Sequence, residues 1–185
     1  MIALLEYPAI RNQATPLSVG SYHALRDMGL VPVKTELLDG VIVAKMTKSP
    51  LHTLIAHRLH RGLAATLPAG YQLRKEDPLT FADSEPEPDL AIVRGDIERF
   101  RSCHPSSAEL VVEIAISSID IDRAKAELYA RAGVPSYWLV LPEQRAAIVY
   151  SDPGPGGYQS EQRLDPEGQL TTSYGASFQL GDLFR

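Results

Sequence analysis

Glu113 stands in the middle of an apolar run, Leu110-Val-Val-Glu-Ile-Ala-Ile. An ionised carboxylate buried there costs several kcal/mol unless it is paired, so the residue needs a partner. Strand alternation puts Val111, Glu113 and Ala115 on one face, opposite Leu110, Val112, Ile114 and Ile116, and small Ala115 leaves room beside the carboxylate. A second carboxylate, Asp89, opens the apolar run Asp89-Leu-Ala-Ile-Val 24 residues earlier, directly after Glu85-Pro-Glu-Pro. If the two runs are neighbouring strands, the carboxylates face each other and can share one Mg²⁺ or Mn²⁺, since such a hard cation takes one or two carboxylates and completes its shell with water and phosphate oxygens. Lys125 follows Glu113 by 12 residues. On a helix that doubles back along the strand, its ammonium could compensate Glu113, orient an attacking water, or stabilise charge building on a phosphate.

The elements that must position these groups are legible in outline. Ser18 is an N-cap for a short helix through Met28 that ends at Gly29. Thr35 to Leu38 and Val41 to Lys45 flank Asp39-Gly40, a dipeptide favoured in two-residue hairpin turns. Ser49-Pro50 reads as N-cap and first helical residue, and Leu51, Leu54, Ile55, Leu59, Leu63 and Leu67 give helical spacing up to the stop at Pro68 and Gly70. Strands are expected at Tyr71 to Lys75, Leu79 to Phe81, Asp89 to Val93 and Leu110 to Ile116. The acidic, proline-bearing segment Ala82 to Pro88 is expected as a loop. Asp120 or Asp122 is expected to cap a helix that reaches Ala132 and stops at Gly133. Ser136 to Leu141 and Ala146 to Tyr150 form a further strand pair, Asp152 to Gly157 a loop tip, and Tyr158 to Gln162 with Gln169 to Tyr174 a last hairpin. The order predicts an α/β fold with a mixed sheet.

Composition narrows the class. The chain has 185 residues, 44% of them hydrophobic and 22% charged, which suits one folded domain rather than a disordered tail. One domain is expected over 1–185, with a core at about 18–150 and a C-terminal β-hairpin extension at 151–185. Apolar runs such as Met1 to Leu5 and Tyr137 to Leu141 are too short to span a membrane. Met1 to Ile10 lacks a basic region and is interrupted by Glu6 and Pro8, so no signal peptide is expected. Cys103 is the single cysteine, which points to a reducing, cytoplasmic setting. The net charge of −5, from 18 basic and 23 acidic residues, argues against coating nucleic acid by bulk charge. It leaves room for an enzyme whose acidic residues gather around a metal.

The order Pro88-Asp89, Glu113 in a hydrophobic strand, then a lysine, resembles the PD-(D/E)XK nuclease superfamily, and more specifically the Uma-type family of restriction endonucleases. The resemblance runs through Glu36-Leu-Leu-Asp-Gly, Ser49-Pro-Leu-His52, Glu85-Pro-Glu-Pro-Asp-Leu and Leu110-Val-Val-Glu-Ile. It continues through Asp122-Arg-Ala-Lys-Ala-Glu-Leu-Tyr-Ala-Arg-Ala-Gly-Val-Pro-Ser-Tyr-Trp-Leu-Val, the most specific segment, and covers about Ser18 to Tyr150. It implies a restriction-endonuclease-like mixed sheet flanked by helices and metal-dependent hydrolysis of DNA. Asp89 and Glu113 would be the metal ligands, Lys125 the catalytic lysine and Glu36 an auxiliary acid. The superfamily lysine two residues after the glutamate is replaced here by Ala115, and the family likeness transfers its role to the helix at Lys125. His52 falls where the family commonly has a histidine near the site and, with Arg58, is a weaker candidate for substrate contact. Arg58, Arg61, Lys45 and Lys48 could form a phosphate-contacting patch or simply a solvated face. Double-strand cleavage would most simply use a homodimer.

Plainer roles compete with each assignment. Glu113 could pair with Lys125 for structure alone, Asp89 could close a turn, and Glu36 and Lys125 could be solvated. The alternatives to a nuclease are therefore a non-catalytic nucleic-acid- or protein-binding module that keeps the fold, and an interaction protein whose acidic cluster is structural. A cation bound only by the folded state discriminates among them. Mg²⁺ or Mn²⁺ is expected to raise the melting temperature, with a gain of about 2.7 kcal/mol at a hundred times its Kd. Thermal denaturation with and without the ion checks this, and Glu113→Gln should remove most of the shift. An unchanged response in both Glu113→Gln and Asp89→Asn would place any metal elsewhere.

Overall fold

Ser18 and Ser49 start their helices by the same device in the computed structural model, which describes residues 7–11 and 13–185. Each serine holds an extended backbone and accepts a hydrogen bond from the amide three residues on, Ser21 and His52 respectively. The helices are α1 (Pro8–Arg11), a single turn, α2 (Val19–Asp27) and α3 (Pro50–Thr66). The run Met1 to Leu5, and with it most of the segment read for a leader, lies outside the described residues. On α3 the buried stripe is His52, Ile55, Ala56, Leu59 and Leu63, while Leu51 and Leu54 of the expected stripe are exposed.

Between α2 and α3 lies the expected hairpin, β1 (Thr35–Leu38) and β2 (Val41–Ala44). Asp39 and Gly40 both take left-handed backbone, φ 48° and 72°, which is what a tight turn of this kind requires. The main sheet follows with six strands in sequential order: β3 (Tyr71–Lys75), β4 (Leu90–Arg94), β5 (Leu110–Ile114), β6 (Ser136–Leu141), β7 (Ala146–Gly154) and β8 (Gly157–Leu164). Neighbours are antiparallel except β5 and β6, which run parallel and are joined by a crossover through α4 (Ile119–Arg131). This is the mixed α/β sheet flanked by helices that the sequence predicts.

Helices cover both faces, so the central strands are apolar on both sides. Ile55, Leu59 and Leu63 of α3 pack on Leu90, Ile92, Leu110, Val112, Ile114, Trp138 and Val140. On the other face, Ala126, Leu128 and Tyr129 of α4 pack on Val93, Val111, Ala115, Tyr137, Leu139 and Ile148. A row of aromatic rings, Tyr129–Tyr137–Tyr150–Tyr158, runs across that second face with centroids 5.0 to 5.8 Å apart. Tyr137 Oη donates to the carbonyl of Asp122 and Tyr158 Oη to that of Val134, each at 2.8 Å, so the row fastens the first turn of α4 and the segment that follows the helix to the sheet. Among the described residues no helix is long and apolar enough to cross a membrane.

Four local expectations are corrected. Leu79 to Phe81 is not a strand: its amides donate to the carbonyls of Pro86, Pro105 and Ser84, which belong to loops, and Leu79 plugs the core beneath them. Asp152 to Gly157 is not a loop, because β7 and β8 continue to a tip at Pro155-Gly156. Tyr158 to Gln162 therefore pairs with β7, and the last hairpin joins β9 (Gln169–Thr171) to β10 (Ser177–Gln179). Finally, the residue at the N-cap position of α4 is Ser118, whose side chain makes no capping bond, and Asp120 and Asp122 lie in the first turn.

The β1–β2 turn closes against the chain ahead of α2: a Cβ at Gly40 would stand 2.3 Å from Pro16 Cβ. Gly40→Ala should therefore cost about 1–3 kcal/mol, from overpacking added to left-handed strain. Gly70, φ 84°, has open space around it, and Gly70→Ala should cost less. Urea midpoints at unchanged slope measure both.

Candidate functional site

The β4–β5 ladder has Leu90 opposite Val112, so the next residues along it, Asp89 and Glu113, come together at the strand ends. Backbone amides also tie each carboxylate to the opposite strand end. The Asp89 amide donates to Glu113 Oε2 at 3.3 Å, and the Ile114 amide donates to Asp89 Oδ2 at 2.9 Å. Both carboxylates line one cavity of about 110 Å³, together with Glu36, His52, Asp122, Lys125 and the β2–α3 connection. Asp89 precedes β4 rather than lying in it, and Glu113 is the fourth residue of β5.

Lys125 reaches this cavity from α4. Its ammonium donates to Glu36 Oε1 at 2.8 Å and to Glu113 Oε1 at 3.0 Å, with Asp122 Oδ1 at 3.5 Å, and its side chain is only 6% exposed. Burial pulls its pKa down, but Glu113, Glu36 and Asp122 outweigh that and hold it above the ordinary lysine range. Tyr129, one turn later, donates from Oη to Glu113 Oε1 at 3.0 Å. Burial pushes the Glu113 carboxyl up, and Asp122, Asp89 and Glu36 add to the push. Lys125 opposes it, and the net direction is upward. Asp122 is raised for the same first reason, against Lys125 and a 2.5 Å hydrogen bond from Ser118 Oγ.

Glu36 is placed by the hairpin. β1 bridges to the loop ahead of Asp89 through reciprocal bonds of Leu37 and Glu85, and the Glu87 amide donates to Glu36 Oε2 at 3.2 Å. The proline-bearing loop thus docks the β1–β2 hairpin beside the strand ends. It also carries Glu85, whose buried carboxylate accepts from His23 of α2 and from Thr80.

The other side of the cavity is supplied by the start of α3. His52 Nε2 donates to Asp89 Oδ2 at 2.9 Å, and its Nδ1 is buried with no partner among the described residues. Lys48 Nζ lies 3.1 Å from Asp89 Oδ1 and 2.9 Å from Glu76 Oε2. Burial pushes Asp89 up, but the bond from His52, the charge of Lys48 and the Ile114 amide bring it below its ordinary value. Lys45 pairs with Glu87. Arg58 is not part of this assembly: its guanidinium donates to the carbonyl of Leu183 at 2.7 Å.

Asp89, Glu113, Lys125, Glu36 and His52 therefore converge, and Arg58 does not. The sequence reading gave Asp122 only a capping role and left Lys48 in a patch with Arg58. The available signal was spacing: Asp122 and Lys125 lie one helical turn apart, and Lys48 and His52 bracket the N-cap of α3. Two hard oxygen donors on one cavity, Asp89 and Glu113, suit a small divalent cation by their chemistry. Among the described residues no group of three or more His, Cys, Asp or Glu is arranged to hold a metal.

A family model described as "Uma2: Putative restriction endonuclease" matches residues 22–180. The fold is similar to the crystal structure of a protein from Anabaena variabilis described as "a putative nuclease belonging to DUF820". The two superpose with a TM-score of 0.75 at 17% identity, over 91% of this chain and 98% of the other, so the likeness is one of fold. No curated protein matches the chain.

If Lys125 acted only on a substrate, its removal would leave stability near wild type. Its burial between Glu36 and Glu113 changes that expectation. Lys125→Met should destabilise the cation-free protein by about 3–5 kcal/mol, because it strands buried carboxylates. Lys125→Met combined with Glu113→Gln should recover part of the loss, which denaturant titration of the single and double variants will measure.

Proposed function

The chain belongs to the Uma2 family, and on that premise we propose that it hydrolyses phosphodiester bonds of DNA with the help of a divalent cation. The observation that carries the reading is the convergence on one cavity of Asp89, Glu113 and a lysine buried between Glu113 and Glu36. Asp89 and Glu113 would hold Mg²⁺ or Mn²⁺. Once bound, such an ion polarises a phosphoryl oxygen and lowers the pKa of water.

The protein's own residues supply position and charge. Lys125 brings a fixed ammonium to the cavity, where it would stabilise the negative charge that gathers on phosphate in the transition state. Glu36 accepts from the same ammonium as Glu113, and its auxiliary part would be to hold Lys125 in position. Tyr129 fixes Glu113 Oε1, while His52 and the Ile114 amide fix Asp89 Oδ2. Preorganised groups of this kind need little rearrangement when the charge develops. The family description supports a nucleic-acid substrate, and cleavage of both strands would use two copies of the chain related by a two-fold axis.

One observation favours a second reading, a nucleic-acid- or protein-binding module that keeps the fold without cutting. Glu113 Oε1 is already bonded by Lys125 and Tyr129, and no closed metal cage exists among the described residues. Cleavage assays decide between the two. The wild type should cut DNA in Mg²⁺ or Mn²⁺. Lys125→Met, assayed where circular dichroism shows it folded, should be slower by roughly a hundred- to a thousandfold, the usual loss for one transition-state contact. Wild-type turnover in Lys125→Met would remove the lysine from the reaction, and a wild type inert on DNA and RNA with either cation would select the binding module.

A further inference from the structure

Of the cations at the cavity, Lys48 is the one built to leave. It sits on the connection between β2 and α3, and its side chain keeps 30% exposure where that of Lys125 keeps 6%. The two oxygens of Asp89 are held in different ways. Oδ2 accepts from the Ile114 amide in β5 and from His52 in α3, both seated in regular structure. Oδ1 accepts only from Lys48 among the described residues, at the end of a flexible side chain. The second partner of Lys48, Glu76, is 41% exposed and is not part of the cavity lining. Glu76 is itself held in place: its backbone is left-handed, φ 58°, and its amide is shared between the carbonyls of Pro88 and Asp89 at 3.2 and 3.3 Å. A strained non-glycine residue is thus fixed to the segment that carries Asp89, with its carboxylate on the outer side of Lys48.

We propose that Lys48 is a phosphate-contacting residue for the nucleic-acid substrate, parked on Asp89 Oδ1 until a divalent cation takes that oxygen. The proposal rests on Asp89 being a cation ligand, as argued above. A divalent ion and an ammonium on one oxygen repel each other, and the ammonium is the partner free to move. Released from Asp89, it remains beside Glu76 in a half-exposed pair, a weak hold that a phosphate oxygen can match. Cation and nucleic acid then bind cooperatively, each raising the affinity for the other by the same factor.

The test follows two ligands separately. Mn²⁺ affinity is measured calorimetrically without nucleic acid, and the affinity for a labelled short DNA duplex is measured by fluorescence anisotropy with and without Ca²⁺ at fixed salt. Lys48→Met should bind Mn²⁺ at least about fivefold more tightly than wild type. Lys45→Met, which removes an equal charge from the same connection but frees Glu87 rather than Asp89, should change it less. Ca²⁺ should tighten duplex binding by the wild type, Lys48→Met should lose most of that gain, and Lys48→Arg should keep it. Unchanged or weaker Mn²⁺ binding in Lys48→Met, or an undiminished Ca²⁺ effect on the duplex, would overturn the proposal. Asp89→Asn separates this from the cation reading itself: if it leaves Mn²⁺ affinity at the wild-type value, both fall. If it weakens Mn²⁺ binding while Lys48→Met does nothing, only the role of Lys48 is lost.

Discussion

The ion pair between Glu113 and Lys125 is the constraint around which the rest of the structure is arranged. A carboxylate in a strand buried on both faces is tolerable only if a cation is brought to it through the core, and the chain does this with its one parallel crossover in the main sheet. β5 ends just after Glu113, α4 folds back over the sheet, and Lys125 lies one helical turn before Tyr129 so that both reach the same oxygen. The tyrosine row restrains this arrangement, since a shift of α4 along the sheet would strain the bonds of Tyr137 to its first turn and of Tyr158 to the segment that follows it. Stability and site geometry are therefore one property here.

The other carboxylates are recruited to that centre by loops. Asp89 sits where the ladder with β5 continues past the end of β4, so its backbone position follows from strand register, but its side chain is oriented from outside the sheet by α3. Glu36 depends on the hairpin and on the Glu85-Pro-Glu-Pro segment that docks it. Two prolines in that segment restrict its backbone, which favours a fixed loop at the place where the hairpin and the sheet meet.

Sequence reasoning succeeded where one residue type has one physical solution. A lone glutamate in an apolar strand had to find a cation, Asp-Gly between two apolar runs had to turn, and a serine before proline had to cap. It failed where tertiary partners decide. Leu79 to Phe81 has strand-like residues, yet its amides are satisfied by loop carbonyls. Tyr158 could pair forwards or backwards along the chain, and the bond from its hydroxyl to Val134 belongs to the backward choice. Asp122 is an acceptable cap by type, but Lys125 and Ser118 draw it into the cavity instead. Lys48 could not be separated from Arg58 by sequence, because both are cations near α3, and only three-dimensional contacts show that one bonds Asp89 and the other a distant carbonyl.

The charge of the cavity bears on how an acidic protein could receive a polyanion. Five carboxylates and three lysines line it, and every one of those lysines is already tied to a carboxylate. In that state the site presents net negative charge, and a phosphate backbone approaching it would be repelled, the more so because the chain as a whole carries −5. On the proposed reading a divalent cation changes the balance twice: it cancels two charges directly, and it frees an ammonium at the rim. Affinity for nucleic acid would then be gated by cation occupancy rather than supplied by a standing basic patch. That is consistent with the absence of any free cluster of lysine and arginine around this cavity among the described residues.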